Sequence, residues 1–307
     1  MSKKRSLKSQ LKYAVQNCQR FGKSKHADKS NPQVNTKEGV YSISTSDALK
    51  DTMENFANFM AEAHPEIGYV RDITVDHIDD WITTREKDWS NATWDNMVTR
   101  IGKMQLLLNK TYNLELDLTT DIKHRDKDRQ NKDEIRNVAM SREDLSAIIR
   151  QLSSSKSSNA LRAVEITSRC GLREVSCLRY VNIDLENKCI HVVEGAKKGR
   201  KRDVAIRDKD IPYFTALKAQ EGNNPYVTGG IKEDSINKAI RRAMGRIGIA
   251  DKYNNTTEHA IRKLYASERF EEEKEKGYDD KKAFTAVQHN LGHGDFLTKL
   301  FNTYVCV

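Results

Sequence analysis

The stretch 256-TTEHAIRKLYASERF-270 sets His259 and Arg262 three residues apart at the start of a segment that reads as a helix. Residues at i and i+3 lie on one helical face, so an imidazole and a guanidinium project the same way. An imidazole exchanges protons near neutral pH. A guanidinium is a permanently charged, planar fork of donors that matches an oxyanion. The pair points to chemistry on an anion that needs a proton carrier beside a fixed cation.

Around this helix, the chain of 307 residues is long enough for two ordinary domains. It contains no run of about eighteen apolar residues, the length that would indicate a membrane span. Its first residues, MSKKRSLKSQLKYAVQ, lack the apolar stretch of a secretion signal. The five cysteines (18, 170, 177, 189 and 306) show no CxxC spacing and read as reduced thiols, not a disulfide frame or a zinc site. The net charge is +9, and residues 1–40 alone hold ten Lys or Arg against two acids. A basic arm on a near-neutral body suggests a polyanionic partner, nucleic acid first.

The periodicity predicts a mainly α fold with a small β-sheet. Residues 1–40 read as the basic arm, with a short helix carried by Leu7, Leu11, Val15 and Cys18 and then a polar linker. Residues 41–116 form a helical domain of three segments. The first buries Leu49, Met53, Phe56, Phe59, Met60 and Ala63 before Pro65. The second follows Thr74 and carries Ile78, Trp81 and Ile82. The third carries Trp94, Met97, Val98, Ile101, Met104 and Leu108. Residues 117–138 are highly charged and read as a linker.

A second domain, 139–307, opens at Ser141 and Asp144 with a capping-box signature. A helix bearing Leu161, Val164 and Thr167 then stops at Gly171. CIHVVEG and RDVAI read as a β-hairpin with the very basic tip AKKGRK. Helices follow at about 233–247, 257–272 and 280–291. The closing FNTYVCV reads as a strand or an unpaired tail.

Within the second domain the chemistry-bearing residues fall in a fixed order: Arg173, the lysines of the hairpin tip, His259 with Arg262, His293 after Leu-Gly, and Tyr304. That order resembles the tyrosine recombinase (phage integrase) family, over roughly residues 41–307. The resemblance implies a helical core-binding domain and a mixed α/β catalytic domain that clamp opposite faces of a duplex. It implies Tyr304 as the nucleophile and Arg173 and Arg262 as phosphate clamps, with Arg169 a distant second choice for the first clamp. His259 and His293 would serve the phosphate and the proton. A hairpin lysine would protonate the leaving 5′ oxygen. The Lys-Gly dipeptide favours Lys198, with Lys197 next and Lys201 also on the tip. Lys197, Arg200, Lys201 and Arg202, with Lys3, Lys4 and Arg5 of the arm, are expected to contact DNA. The other tyrosines near the motif, Tyr253 and Tyr265, read as packing residues, and His289 as a helix-surface residue.

The chain departs from the family pattern in three places, one of them a tail of only three residues beyond Tyr304 where a longer one is usual. Ser176 stands three residues after Arg173, where an acid is usual, and Glu174 is adjacent instead. His293 and Tyr304 are eleven residues apart, a slightly longer gap than usual. The resemblance implies a site-specific recombinase or integrase of a phage or other mobile element that works through a 3′-phosphotyrosyl intermediate and a Holliday junction. It needs no metal and no cofactor. It would assemble as a tetramer on double-stranded DNA, sometimes with DNA-bending or directionality proteins, in the nucleoid-associated cytoplasm and away from membranes. Two alternatives stay open: a type IB topoisomerase-like relaxing enzyme, and a catalytically impaired DNA-binding accessory protein.

Overall fold

The structure, a computed structural model, describes residues 5–120, 122, 138–155, 157–173, 175–196, 201–253, 256–293 and 298–305. The chain forms two compact units, Met1–Glu134 and Ile135–Val307.

The first unit is all-helical: α1 (Leu7–Asn17), α2 (Lys25–Lys29), α3 (Ile43–Ala63), α4 (Val75–Arg85) and α5 (Asn91–Tyr112). Helix α1 starts where the Ser6 hydroxyl accepts from the Ser9 amide. The apolar spacing read from the arm is real, but α1 does not stand apart. Leu7, Leu11, Val15 and Cys18 share one core with Met53, Phe56, Trp81 and Ile101. The Gln10 side chain donates to the Gly68 carbonyl at 2.9 Å and accepts from the Val70 amide at 3.3 Å. Charge counting could not show this, because the basic residues occupy the outer face of α1, where Lys8 and Lys12 both pair with Glu54 of α3.

The Ser42 hydroxyl accepts from the Thr45 amide and caps α3, so the helix begins at Ile43. Phe56 meets Trp81 edge-on, with ring centroids 5.3 Å apart. Beyond α5, Leu118 and Ile122 are buried in the same core, so part of the stretch read as linker is anchored. Most of the remaining charged stretch lies outside the described residues.

The second unit contains α6 (Arg142–Ser154), α7 (Ser158–Cys170), β1 (Ile183–Asp184), β2 (Cys189–Val192), β3 (Arg202–Ala205), α8 (Ile211–Lys218), α9 (Glu233–Arg246), α10 (Glu258–Glu275), α11 (Asp280–Asn290) and α12 (Thr298–Tyr304). Ser141 caps α6, but the other half of the expected capping box is replaced. The Ser141 amide donates to the Tyr253 hydroxyl, which itself donates to Asp144. The hairpin gains a short third strand, giving an antiparallel sheet in the order β1-β2-β3. Its tip, including Lys197, Lys198 and Arg200, lies outside the described residues. Helix α8, with Pro212 in its first turn, was not foreseen.

Two features of this unit fix the site. Helix α7 ends at Gly171 with φ +61°, and its amide closes onto the Thr167 carbonyl at 2.8 Å. A Cβ there would collide with the edge of the Tyr265 ring, at Cδ1 and Cε1. Gly171→Ala is therefore expected to destabilise the protein by about 2–4 kcal/mol, from the left-handed backbone and the overpacking together. Denaturant unfolding measures this, and a change below about 1 kcal/mol would show that the turn is not tight.

The second feature is a correction to the expected strand or tail at FNTYVCV, which is helical through Tyr304. Phe301, Tyr304 and Val305 recur at helical spacing and pack on α10 and α11. The Phe301 ring sits 5.5 Å from Phe270 and 5.0 Å from Phe284. The alternation seen in the sequence gave way to this aromatic contact.

Candidate active site

Helix α10 opens at Glu258, and its first turn is held from outside. Asn237 of α9 turns its side-chain oxygen to the Thr257 hydroxyl and to the Glu258 amide. His259 and Arg262 leave the next positions on the same face. Arg262 is only 2% exposed. Its Nη1 donates to the Gly171 carbonyl at the end of α7, and its Nη2 donates to the Leu291 carbonyl just past α11. Three helix ends are thereby tied to one cation, and the fork is fixed before any ligand arrives.

Arg173 lies two residues past Gly171 and lines the same pocket of about 290 Å³ as His259 and Arg262, with Glu233, Asn237 and Arg241 of α9, Thr256, Thr257 and Glu258. A short 3₁₀ segment, Val175–Cys177, follows Arg173. Arg169, the second choice, pairs with Asp210 and stacks over Tyr213.

Tyr304 is 2% exposed, and its ring is surrounded by the expected residues. The His259 ring centroid lies 5.4 Å away, that of His293 lies 5.6 Å away, and the Arg262 guanidinium carbon lies 6.0 Å from the ring centre. Ser267 of α10 donates to the Tyr304 carbonyl at 3.2 Å, pinning the end of α12. Tyr253 and Tyr265 are core residues, and His289 is exposed. The structure thus brings Arg173, His259, Arg262, His293 and Tyr304 together.

Among the expected DNA contacts, Lys3, Lys4, Lys197, Lys198 and Arg200 lie outside the described residues. Lys201 is exposed. Arg5 stacks over Tyr13 at 4.2 Å. The Arg202 Nε donates to the Asn290 carbonyl at 3.0 Å, tying β3 to the end of α11.

The electrostatics of the pocket follow from burial. His259 is driven down to about 4, first by desolvation and then by Lys263, Arg173, Arg262 and His293. Its imidazole is therefore neutral at pH 7 and can accept a proton. An anion entering among these cations raises that value again. Glu258 moves the other way, up to about 7, chiefly by burial and against the opposing hydrogen bond from the Thr167 hydroxyl at 3.1 Å.

Glu258 and the α9 residues were not foreseen. Glu233, Asn237 and Arg241 fall at i, i+4 and i+8, a polar stripe visible in the sequence. Only the fold shows that the stripe faces α10.

The two shifts have opposite consequences for stability. Folded Glu258 keeps a proton up to about pH 7 that the unfolded chain releases near 4.5, so its contribution is present at low pH and is lost as pH rises through 7. Folded His259 resists a proton that the unfolded chain takes up near 6.5, so its contribution is present above 6.5 and is lost as pH falls to about 4. Glu258→Gln is expected to gain stability relative to the native chain between pH 5 and pH 8, by up to about 3 kcal/mol. Unfolding curves at both pH values measure it, and a difference that does not change with pH would contradict the assignment.

No protein-family model matches the chain, and no curated protein matches it in sequence. Solved structures do match its fold. The XerH site-specific recombinase bound to palindromic difH substrate, a post-cleavage complex, aligns over 99% of this chain and 94% of its own at 14% identity, with TM-score 0.63. A lambda integrase tetramer bound to a Holliday junction aligns over 95% of this chain and 78% of its own at 15% identity, with TM-score 0.58. The Tn1549 transposon integrase in complex with transposon right end DNA aligns over 97% and 95% at 15% identity, with TM-score 0.57. Among the described residues no helix is long and apolar enough to cross a membrane. At this level of identity the likeness establishes architecture, and the architecture of this chain is the tyrosine recombinase fold.

Proposed function

We propose that the chain is a site-specific DNA recombinase that cleaves and rejoins strands through Tyr304. The observation that supports this most is the enclosure of the Tyr304 ring by His259, His293 and Arg262 at the edge of the pocket that Arg173 lines.

In this reading a scissile phosphodiester enters the pocket, and Arg173 and Arg262 take its two non-bridging oxygens. Arg262 needs little reorganisation, because the Gly171 and Leu291 carbonyls already hold its fork. The Tyr304 hydroxyl oxygen attacks phosphorus while its proton passes to the neutral His259 imidazole. The bond from phosphorus to the 5′ oxygen breaks, leaving a 3′-phosphotyrosyl link. The departing 5′ oxygen takes a proton from a lysine of the hairpin tip, Lys198 by the resemblance. His293 donates to the phosphate. The ester conserves the energy of the broken bond, so a 5′ hydroxyl from a partner duplex can displace Tyr304 and restore the phosphodiester.

The wider reading is strand exchange through a Holliday junction by a tetramer formed on DNA, in integration or excision of a mobile element. One of the solved neighbours is a tetramer on such a junction. The helical unit would supply the second DNA-holding body. Its face around the start of α3 carries Lys25, Lys37, Arg100 and Lys103 beside Ser42, Ser44 and Thr45 around a concavity of about 920 Å³, a surface suited to phosphate.

Incubation with supercoiled plasmid carrying the DNA that flanks its own gene, in EDTA and quenched with SDS, tests the chemistry. Protein-linked nicked DNA is expected, with four-way junction products when two sites are present. Relaxation without junctions favours a topoisomerase-like enzyme. Tight binding with no linkage favours an accessory DNA-binding protein.

A further inference from the structure

The outer face of the three-stranded sheet carries a constellation that the proposed reaction does not use. Side chains along a strand alternate between faces. Ile183, Ile190, Val192 and Val204 are buried, so Asp184, Cys189, His191 and Asp203 share the opposite face. Pairing then sets them beside one another: Asp184 lies opposite Cys189, and His191 lies opposite Asp203.

The side chains converge as well. A carboxylate oxygen of Asp184, the Cys189 sulfur and a ring nitrogen of His191 all lie within 4.8 Å of one another. The His191 Nε2 is 3.3 Å from Asp184 Oδ2 and 3.9 Å from Cys189 Sγ. Zinc bonds of about 2.0–2.3 Å to oxygen, nitrogen and sulfur give tetrahedral edges of about 3.3–3.6 Å, so small side-chain movements complete the geometry. On the far side of the ring, Nδ1 lies 2.7 Å from Asp203 Oδ1. A carboxylate in that place fixes the orientation and tautomer of a metal-bound histidine. A thiolate with an imidazole and a carboxylate suits zinc, and not magnesium or calcium, which favour all-oxygen sites.

We propose that Asp184, Cys189 and His191 bind one zinc ion, with water at the fourth position and Asp203 positioning His191. Binding takes the proton from the Cys189 thiol and leaves His191 protonated only at Nδ1, so protons are released to solvent. The ion links β1 to β2, and through Asp203 it fixes β3. It thereby stiffens the base of the hairpin that carries Lys197, Lys198 and Lys201. The site stands apart from the strand-transfer chemistry. Without an ion, His191 bridges the carboxylates of Asp184 and Asp203, and the experiment separates the two states.

The full chain, reduced with a phosphine and stripped with EDTA, is titrated with Co(II) and then with Zn(II). One Co(II) per chain is expected, with tetrahedral visible bands and a near-ultraviolet thiolate charge-transfer band, both erased by Zn(II). Cys189→Ser removes the charge-transfer band. Asp203→Asn retains it and weakens affinity about 10–100-fold. X-ray absorption of the zinc form of the native chain, which requires no variant to fold, is expected to show one sulfur and otherwise nitrogen and oxygen ligands. Absence of saturable binding, a band undiminished in Cys189→Ser, or a shell without sulfur would overturn the site.

Discussion

Tyr304→Phe is expected to lower covalent linkage to DNA by a factor on the order of 10⁴ or more, the scale seen when an enzyme loses its nucleophile. Fold and DNA affinity should stay near those of the native chain. The separation follows from where Tyr304 sits. Its ring fills the satellite core with Phe270, Phe284, Val287 and Leu291, and phenylalanine keeps that packing. The contact from Ser267 is to the Tyr304 backbone carbonyl and survives the change. Quantifying SDS-resistant complexes alongside a binding isotherm measures both effects. Residual linkage within about tenfold of native would mean that another nucleophile acts.

Arg262→Lys has the next largest expected effect, and it acts on stability and turnover together. The guanidinium bonds the Gly171 and Leu291 carbonyls at once while lining the pocket. A lysine keeps the charge but offers a single point, so at least one buried carbonyl loses its donor, at a cost of about 1–3 kcal/mol. The oxyanion clamp loses its fixed fork, and the strand-cleavage rate should fall about 10²–10³-fold. Denaturant unfolding and single-turnover cleavage on one preparation read the two losses. A variant that cleaves normally would show that the two-carbonyl anchoring does not serve catalysis.

Much of this was legible before any coordinates. The helices of both units announce themselves by apolar spacing, from Leu49–Met60 in α3 to the closing stop at Gly171 in α7. The residues gathered around Tyr304 are the ones whose order carried the family resemblance. What stayed hidden depends on contacts between distant segments. The arm residues Leu7 and Leu11 look like one face of an isolated helix until α3 and α5 cover them. The closing FNTYVCV alternates, and only the pocket between Phe270 and Phe284 turns it helical and swings Tyr304 toward α10. Glu258 reads as a surface acid at a helix start, yet it is 6% exposed because α9 caps that helix from the side. Asp184, Cys189, His191 and Asp203 have no recognisable spacing, since strand register, not sequence distance, makes them neighbours.

The most direct test of the central claim is to identify the linked atom. The complex trapped on plasmid is digested with nuclease and protease, and the nucleotide-bearing peptide is sequenced by mass spectrometry. A phosphotyrosyl adduct on Tyr304 is expected, in the peptide that includes Phe301 and Val305. An adduct on any other residue, such as the buried Tyr265 or Tyr253, would contradict it.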